Sequence, residues 1–217
     1  MMLWLKGSVS MYWYRDKIFP MMMKKNIGKK SILELRKKIL SDAKGEILEI
    51  GIGEGTNLTL YPEHVDQITA VDNYIRKLDS SNINVNLVFA SADFLPFNDN
   101  SFDTVVSTFV LCSVENLNKV LAEIYRVLKP GGQFIFLEHG KAKGKLTSMI
   151  QNMFNPFYNI FAYGCNINRQ YKYEIVQCGF KLLKFECEKA DIYPRVLTGY
   201  VYTGNVNKPE KMEKFDG

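Results

Sequence analysis

The stretch Glu46-Ile47-Leu48-Glu49-Ile50-Gly51-Ile52-Gly53-Glu54-Gly55-Thr56-Asn57 decides how this chain folds. A short apolar strand carries an acid at Glu49 and runs into three alternating glycines. Further on, a second apolar run, Gln67-Ile68-Thr69-Ala70-Val71, ends in Asp72, with Asn73 beside it. A strand, a tight turn and a second strand ending on an acid form the pattern with which a parallel α/β sheet holds an adenosyl group. Gly51, Gly53 and Gly55 let the backbone turn sharply and approach a ligand with no Cβ in the way. Asp72, at the tip of the second strand, is placed to accept hydrogen bonds from two ribose hydroxyls.

The glycine spacing separates two kinds of adenosyl ligand. A dinucleotide loop reads G-x-G-x-x-G and turns a helix N-terminus toward a pyrophosphate. This loop reads G-x-G-x-G, with Glu49 ahead of it and Glu54 inside it. Two carboxylates repel a pyrophosphate but suit a ligand that carries an ammonium and a sulfonium.

Outward from the loop, strands and helices alternate. Ser31 with Glu34 reads as a capping box for a helix buried through Ile32, Leu33, Leu35, Ile39 and Leu40. Strands are expected at Ile47–Ile50, Ile68–Val71, Val85–Ala90, Phe102–Thr108 and Gln133–Leu137. Helices are expected from near Thr56, from Tyr74 to Leu78, over Glu115–Leu128 (stopped by Lys129-Pro130-Gly131-Gly132), and over Arg169–Gln177. Lys181–Lys189 and Val196–Val206 read as a closing antiparallel hairpin. The fold class is therefore α/β, a mostly parallel sheet with helices on both faces. Three segments are expected: a helical N-terminal piece over 1–44 that covers the active site, the main domain over 45–208, and a frayed tail over 209–217.

The motif Glu49-x-Gly51-x-Gly53-x-Gly55 resembles motif I of the class I S-adenosylmethionine-dependent methyltransferases. The resemblance spans roughly Gly45 to Val206. It implies a Rossmann-like seven-stranded sheet of order 3-2-1-4-5-7-6 and S-adenosyl-L-methionine as cofactor. Asp72 matches the family's ribose-binding acid. Ser91-Ala92-Asp93-Phe94-Leu95-Pro96-Phe97 resembles the segment over the adenine. There Asp93 would accept from the exocyclic amine, Ala92 would offer its N–H, and Phe94 an apolar face. Thr108, Phe109 and Val110 would sit beside the methionine part. Val110-Leu111-Cys112-Ser113-Val114, Leu137-Glu138-His139 and Gly164-Cys165-Asn166-Ile167-Asn168-Arg169 resemble the group that includes animal thiol S-methyltransferases and bacterial relatives labelled phospholipid or quinone methyltransferases. The animal members carry a long hydrophobic N-terminal anchor that this sequence does not match, and Ile52 and Glu54 depart from the usual loop.

Size and composition limit the alternatives. The 217 residues fit one domain, and 47% hydrophobic content supports a large core. The net charge of +5 is spread along the chain, apart from a short Lys141, Lys143, Lys145 cluster, so nucleic acid is not an expected partner. Cys112, Cys165, Cys178 and Cys187 form no C-x-x-C pair, and His64 and His139 lie far apart, so the spacing supports no metal site. Residues 1–17 contain no apolar run of about 18 residues and no signal-peptide pattern, and the protein is expected in the cytoplasm.

Methyl transfer from a sulfonium is an in-line displacement in which the protein supplies position and a dry pocket. A thiol acceptor supplies its own nucleophile by partial ionisation. Glu49 either contacts the cofactor's amino end through water or braces the loop. His139, at the carboxyl edge of the fifth strand, reads as a general base or as a hydrogen-bonded structural residue. Arg169 binds an acidic acceptor group or caps locally, and Asp103 serves the structure. Tyr12, Trp13, Tyr14, Phe154, Phe157, Tyr158, Phe161 and Tyr163 favour a small apolar acceptor, taken through sulfur, oxygen or nitrogen. Lys145–Tyr163, with Met149, Ile150, Met153, Phe154 and Phe157 on one face, reads as a lid that excludes water or touches a membrane surface. Two other classes remain: a nucleotide-dependent oxidoreductase, and a cofactor-binding module without turnover.

Overall fold

The computed structural model describes residues 21, 25–26, 28–74, 77–78 and 81–210. In chain order it contains α1 (Lys30–Leu40), β1 (Ile47–Ile50), β2 (Gln67–Asp72), β3 (Asn84–Phe89), β4 (Phe102–Thr108), α2 (Leu117–Val127) and β5 (Leu128–His139). After these come α3 (Lys145–Phe161), α4 (Tyr171–Gln177), β6 (Lys181–Lys189), α5 (Arg195–Thr198) and β7 (Tyr200–Asn207). One seven-stranded sheet runs β3-β2-β1-β4-β5-β7-β6. The first five strands pair in parallel. β7 lies between β5 and β6 and is antiparallel to both. The expected strand order and closing hairpin are therefore present.

Side chains alternate across each strand, so the sheet sorts its apolar residues into two layers. Leu48 and Ile50 face a cluster with Val120, Leu121 and Ile124 of α2 and Tyr171 and Ile175 of α4. Ile47, Ile68, Val106 and Ile135 face the other way, onto Ile32, Ile39 and Leu40 of α1. Each fully buried Leu or Ile in these layers contributes about 1.5–3 kcal/mol. α2 starts on Asn116, whose side chain accepts the Lys119 N–H at 3.1 Å.

Several expected elements differ. No α-helix follows Thr56. Gly55, Leu58 and Leu60 donate their N–H groups three residues back, to Ile52, Gly55 and Asn57, so 53–60 is a series of turns. Side-chain bonds of Asn57 to β1 and β4 hold this path in place of a helical ladder. Ser31 does not cap α1. The helix begins two residues earlier, at Lys30 with Lys29 as its N-cap, and the Lys29 ammonium reaches the Asp191 carbonyl at 2.7 Å and its carboxylate at 3.3 Å. Lys129 to Gly132 stops α2 but continues as strand, because Gly131 N–H donates to Lys208 O and Lys208 N–H to Gly132 O. Val196 lies in α5, and β7 begins at Tyr200. Asn73 and Tyr74 form a bend rather than a helix start. Residues 75–76, the aromatic expectations at Tyr12, Trp13 and Tyr14, and the tail beyond 210 lie outside the described residues.

Candidate active site

The carboxyl ends of β1, β2, β4 and β5 surround a cavity of about 670 Å³. Gly51, Asp72, Asn73, Ala92 and Asp93 line one side, and Phe109, Val110 and His139 line the other. Gly51 has φ +69°, and a Cβ there would collide with Val110 Cγ2. Its N–H donates to Val71 O at 2.7 Å, which ties the loop to β2. Asp72 accepts the Gly53 N–H on Oδ2 and the Tyr74 N–H on Oδ1, both at 2.9 Å. Backbone donors therefore fix both oxygens, and a carboxylate still has lone pairs to offer a ligand.

The adenine-side residues are placed unequally. Ala92 and Asp93 reach the cavity. Asp93 is held by Ser91 Oγ and by Lys119 Nζ at 3.5 Å, and the Ser91 hydrogen bond keeps its carboxyl below the usual range. Phe94 is 74% exposed and does not line the cavity. Gly53 and Gly55 shape the loop without lining it.

Behind the loop lies a buried polar network. Glu49, 1% exposed, accepts from Asn57 Nδ2 at 2.9 Å and from Tyr61 OH at 2.8 Å. Arg36 Nη1 donates to Asn57 Oδ1 at 2.6 Å and to Thr108 Oγ1 at 2.8 Å, and its guanidinium lies 5.2 Å from the Phe109 ring centre. Burial pushes the Glu49 carboxyl up to about 7, against the Tyr61 hydrogen bond and the Arg36 charge. Burial also lowers the Arg36 guanidinium to about 10. Of its two readings, Glu49 occupies the bracing position, and neither it nor Thr108 lines the cavity. Sequence reading missed Arg36. Its signal was an arginine on the apolar stripe of α1, four residues after Ile32 and three before Ile39.

Glu138 performs a similar task for the loop after β4. This fully buried carboxylate accepts the N–H groups of Val110 and Leu111 at 2.9 Å and of Cys112 at 3.1 Å, and the Ser107 hydroxyl at 3.0 Å. Burial raises its pKa, while these donors oppose the rise. Phe109 takes φ +58° in this turn and packs its ring 4.7 Å from that of His139.

His139 is 3% exposed. Its Nδ1 lies 3.9 Å from Cys112 Sγ and 3.8 Å from Cys165 Sγ, and its Nε2 has no protein partner. The hydrogen bond to Cys165 and burial together push the Cys112 thiol well up. The sequence spacing gave no sign of this grouping. Arg169 donates to Val114 O, and Asp103 pairs with Lys129 at 2.7 Å, which is a structural role. His64 is on the surface and bonds Ala43 O at 3.1 Å.

A methyltransferase-domain family model matches residues 48–136. Human thiol S-methyltransferase TMT1B is 32% identical over 180 residues, covering 77% of this chain and 73% of the relative. The chain belongs to the class I S-adenosylmethionine-dependent methyltransferases. Human thiol S-methyltransferase TMT1A is 30% identical over 72% of this methyltransferase and 68% of the relative. A ubiquinone/menaquinone biosynthesis C-methyltransferase from Rickettsia felis is 38% identical over 50% of this chain and 42% of its own. Among solved structures, a Haemonchus contortus N-methyltransferase in complex with S-adenosylhomocysteine superposes with a TM-score of 0.62 at 17% identity. That match covers 93% of this methyltransferase and 61% of the solved chain. The [4+2]-cyclase SpnF superposes with a TM-score of 0.61 at 18% identity, over 83% of this chain and 82% of its own. These superpositions establish the fold alone. The methyltransferase uses S-adenosyl-L-methionine, and no helix among its described residues is long and apolar enough to cross a membrane.

Proposed function

We propose that this methyltransferase carries its methyl group to the sulfur of a small, apolar thiol. The cofactor supplies an activated methyl on a sulfonium, so the chain's own work is to bind, orient and exclude water. In this reading Asp72 holds the ribose hydroxyls, Ala92 N–H and Asp93 take the adenine, and Phe109 and Val110 flank the methionine part. The observation that carries the cofactor assignment is Asp72 itself, anchored at both oxygens and open to the cavity. The thiol preference is supported by the activity for which the two human relatives are named and by the apolar side of the cavity, which includes Val114, Tyr158 and Ala162. The four free cysteines fit a reducing compartment such as the cytoplasm.

Calorimetry with S-adenosylhomocysteine tests the cofactor pocket, with an expected dissociation constant on the order of micromolar, the scale of ordinary substrate affinities. NAD displacing that ligand in a thermal-shift assay would overturn the pocket assignment. Turnover against matched apolar thiol, phenol and amine acceptors tests the acceptor class. Methylation of the phenol or amine in preference to the thiol would refute it.

A further inference from the structure

Three groups from distant parts of the chain meet on one wall of the cavity. Cys112 follows β4, His139 ends β5, and Cys165 lies between α3 and α4. All three are buried and all three line the cavity. Their Sγ, Sγ and Nδ1 atoms lie within 4.8 Å of one another. A tetrahedral zinc-type centre places sulfur at about 2.3 Å and imidazole nitrogen at about 2.0–2.1 Å, which sets ligand-to-ligand separations of roughly 3.5–3.8 Å. The observed 3.8 and 3.9 Å from Nδ1 to the two sulfurs need little adjustment. We propose that Cys112, Cys165 and His139 form a binding site for a soft, zinc-class cation, with its fourth position open to the cavity for the sulfur of the acceptor thiol. The role given to that fourth position rests on the thiol reading above.

Two further features describe the surroundings of the three ligand atoms. The fully buried Glu138 carboxyl accepts the Cys112 N–H and precedes His139, so an oxygen-rich acceptor group lies beside the site. With Nδ1 as the ligand atom, the ring proton sits on Nε2, which finds no partner in the protein. Bound acceptor thiol loses its proton to solvent as its sulfur takes the open position. A lone pair on that sulfur then forms the new carbon–sulfur bond. The sulfonium carbon–sulfur bond breaks, and its electron pair stays on S-adenosylhomocysteine. No oxidant or reductant is required.

Cobalt(II) titration of the reduced, chelator-stripped protein tests the site. One cobalt per chain is expected, with the thiolate charge-transfer and ligand-field bands of a tetrahedral centre, displaced by zinc. Cys112→Ser, Cys165→Ser and His139→Ala should each weaken cobalt binding about tenfold or more, while Cys187→Ser leaves it unchanged. In the wild-type protein, cobalt should protect Cys112 and Cys165, but not Cys187, from alkylation read by mass spectrometry. That measurement stands even if a variant fails to fold. Absence of the thiolate bands, or equal alkylation of all three cysteines with and without cobalt, overturns the proposal. S-adenosylhomocysteine binding is measured on the same sample. Its persistence without cobalt binding removes the cation site alone, and its absence removes the cofactor pocket instead.

Discussion

Asp72 presents two carboxylate oxygens whose directions are set by the Gly53 and Tyr74 N–H groups. Asp72→Ala should therefore weaken S-adenosylhomocysteine binding by about 1–3 kcal/mol, the scale of lost hydrogen bonds to a charged group, as read by calorimetry. Unchanged affinity would end its assignment to the ribose. Glu49 makes a different prediction. Its folded pKa of about 7 lies above the unfolded value of 4.5, so between these values the native state holds more protons than the unfolded chain. Stability then falls as pH rises from 4.5 to 7, with a slope of at most ~1.4 kcal/mol per pH unit for one proton. Glu49→Gln should flatten that part of the stability-against-pH curve in urea titrations. The raised Glu138 carboxyl retains a slope of the same sign. Arg36→Ala should cost roughly 1–3 kcal/mol, because it strands the buried Asn57 Oδ1 and removes the charge that opposes the rise of Glu49, and Arg36→Ala with Glu49→Gln should cost less than the sum of the two. Asp72 and the glycine loop were legible in sequence because their spacing is local. Arg36, its hydrogen bond to Thr108 and the grouping of Cys112, His139 and Cys165 were not, because these contacts join residues 26 to 72 positions apart.

Helix α3 is built inside out. Among its seventeen residues only Gln151 is fully buried, and it clamps the helix through Ala142 N–H at 2.7 Å, Gly140 O at 3.2 Å and Leu197 O at 2.9 Å. Asn155 and Asn159 continue the same face and bond Asn166 at 3.1 and 3.2 Å. Leu146, Met149, Met153, Phe157 and Phe161 are turned outward and more than half exposed. Gln151→Ala should strand these buried partners at a cost of about 1–3 kcal/mol, read in urea midpoints, and speed hydrogen exchange within 145–161. The same inversion explains an unequal result from sequence reading. The sequence grouped Met149, Ile150, Met153, Phe154 and Phe157 on one face of a lid without assigning a helix, and it gave no sign that Gln151 would be the buried anchor. Strands β1, β4 and β6 matched their expected bounds because each is a run set off by turn residues. The helix expected after Thr56 failed because side-chain bonds of Asn57 override local preference there. Strand β5 is longer than its apolar run because the segment after β7 pairs with Gly131 and Gly132.

At the scale of the molecule, two apolar layers are held apart by one sheet, and α1 seals one layer while α2 and α4 seal the other. The alternation of elements made that architecture legible, whereas the strand order came from family resemblance. β7 joins the parallel part of the sheet to β6 through registers with both neighbours. A chain ending at Lys189 should show no cooperative thermal transition by circular dichroism, since β5 would keep a long unpaired edge and β6 would have no neighbour. A two-state melt in that truncated chain would show that the parallel strands stand alone. Among the described strands, β7 comes last in the chain yet lies inside the sheet, between β5 and β6. Until β7 has left the ribosome, β5 has no strand to pair with on that side, and its backbone groups there stay open to water or to another chain.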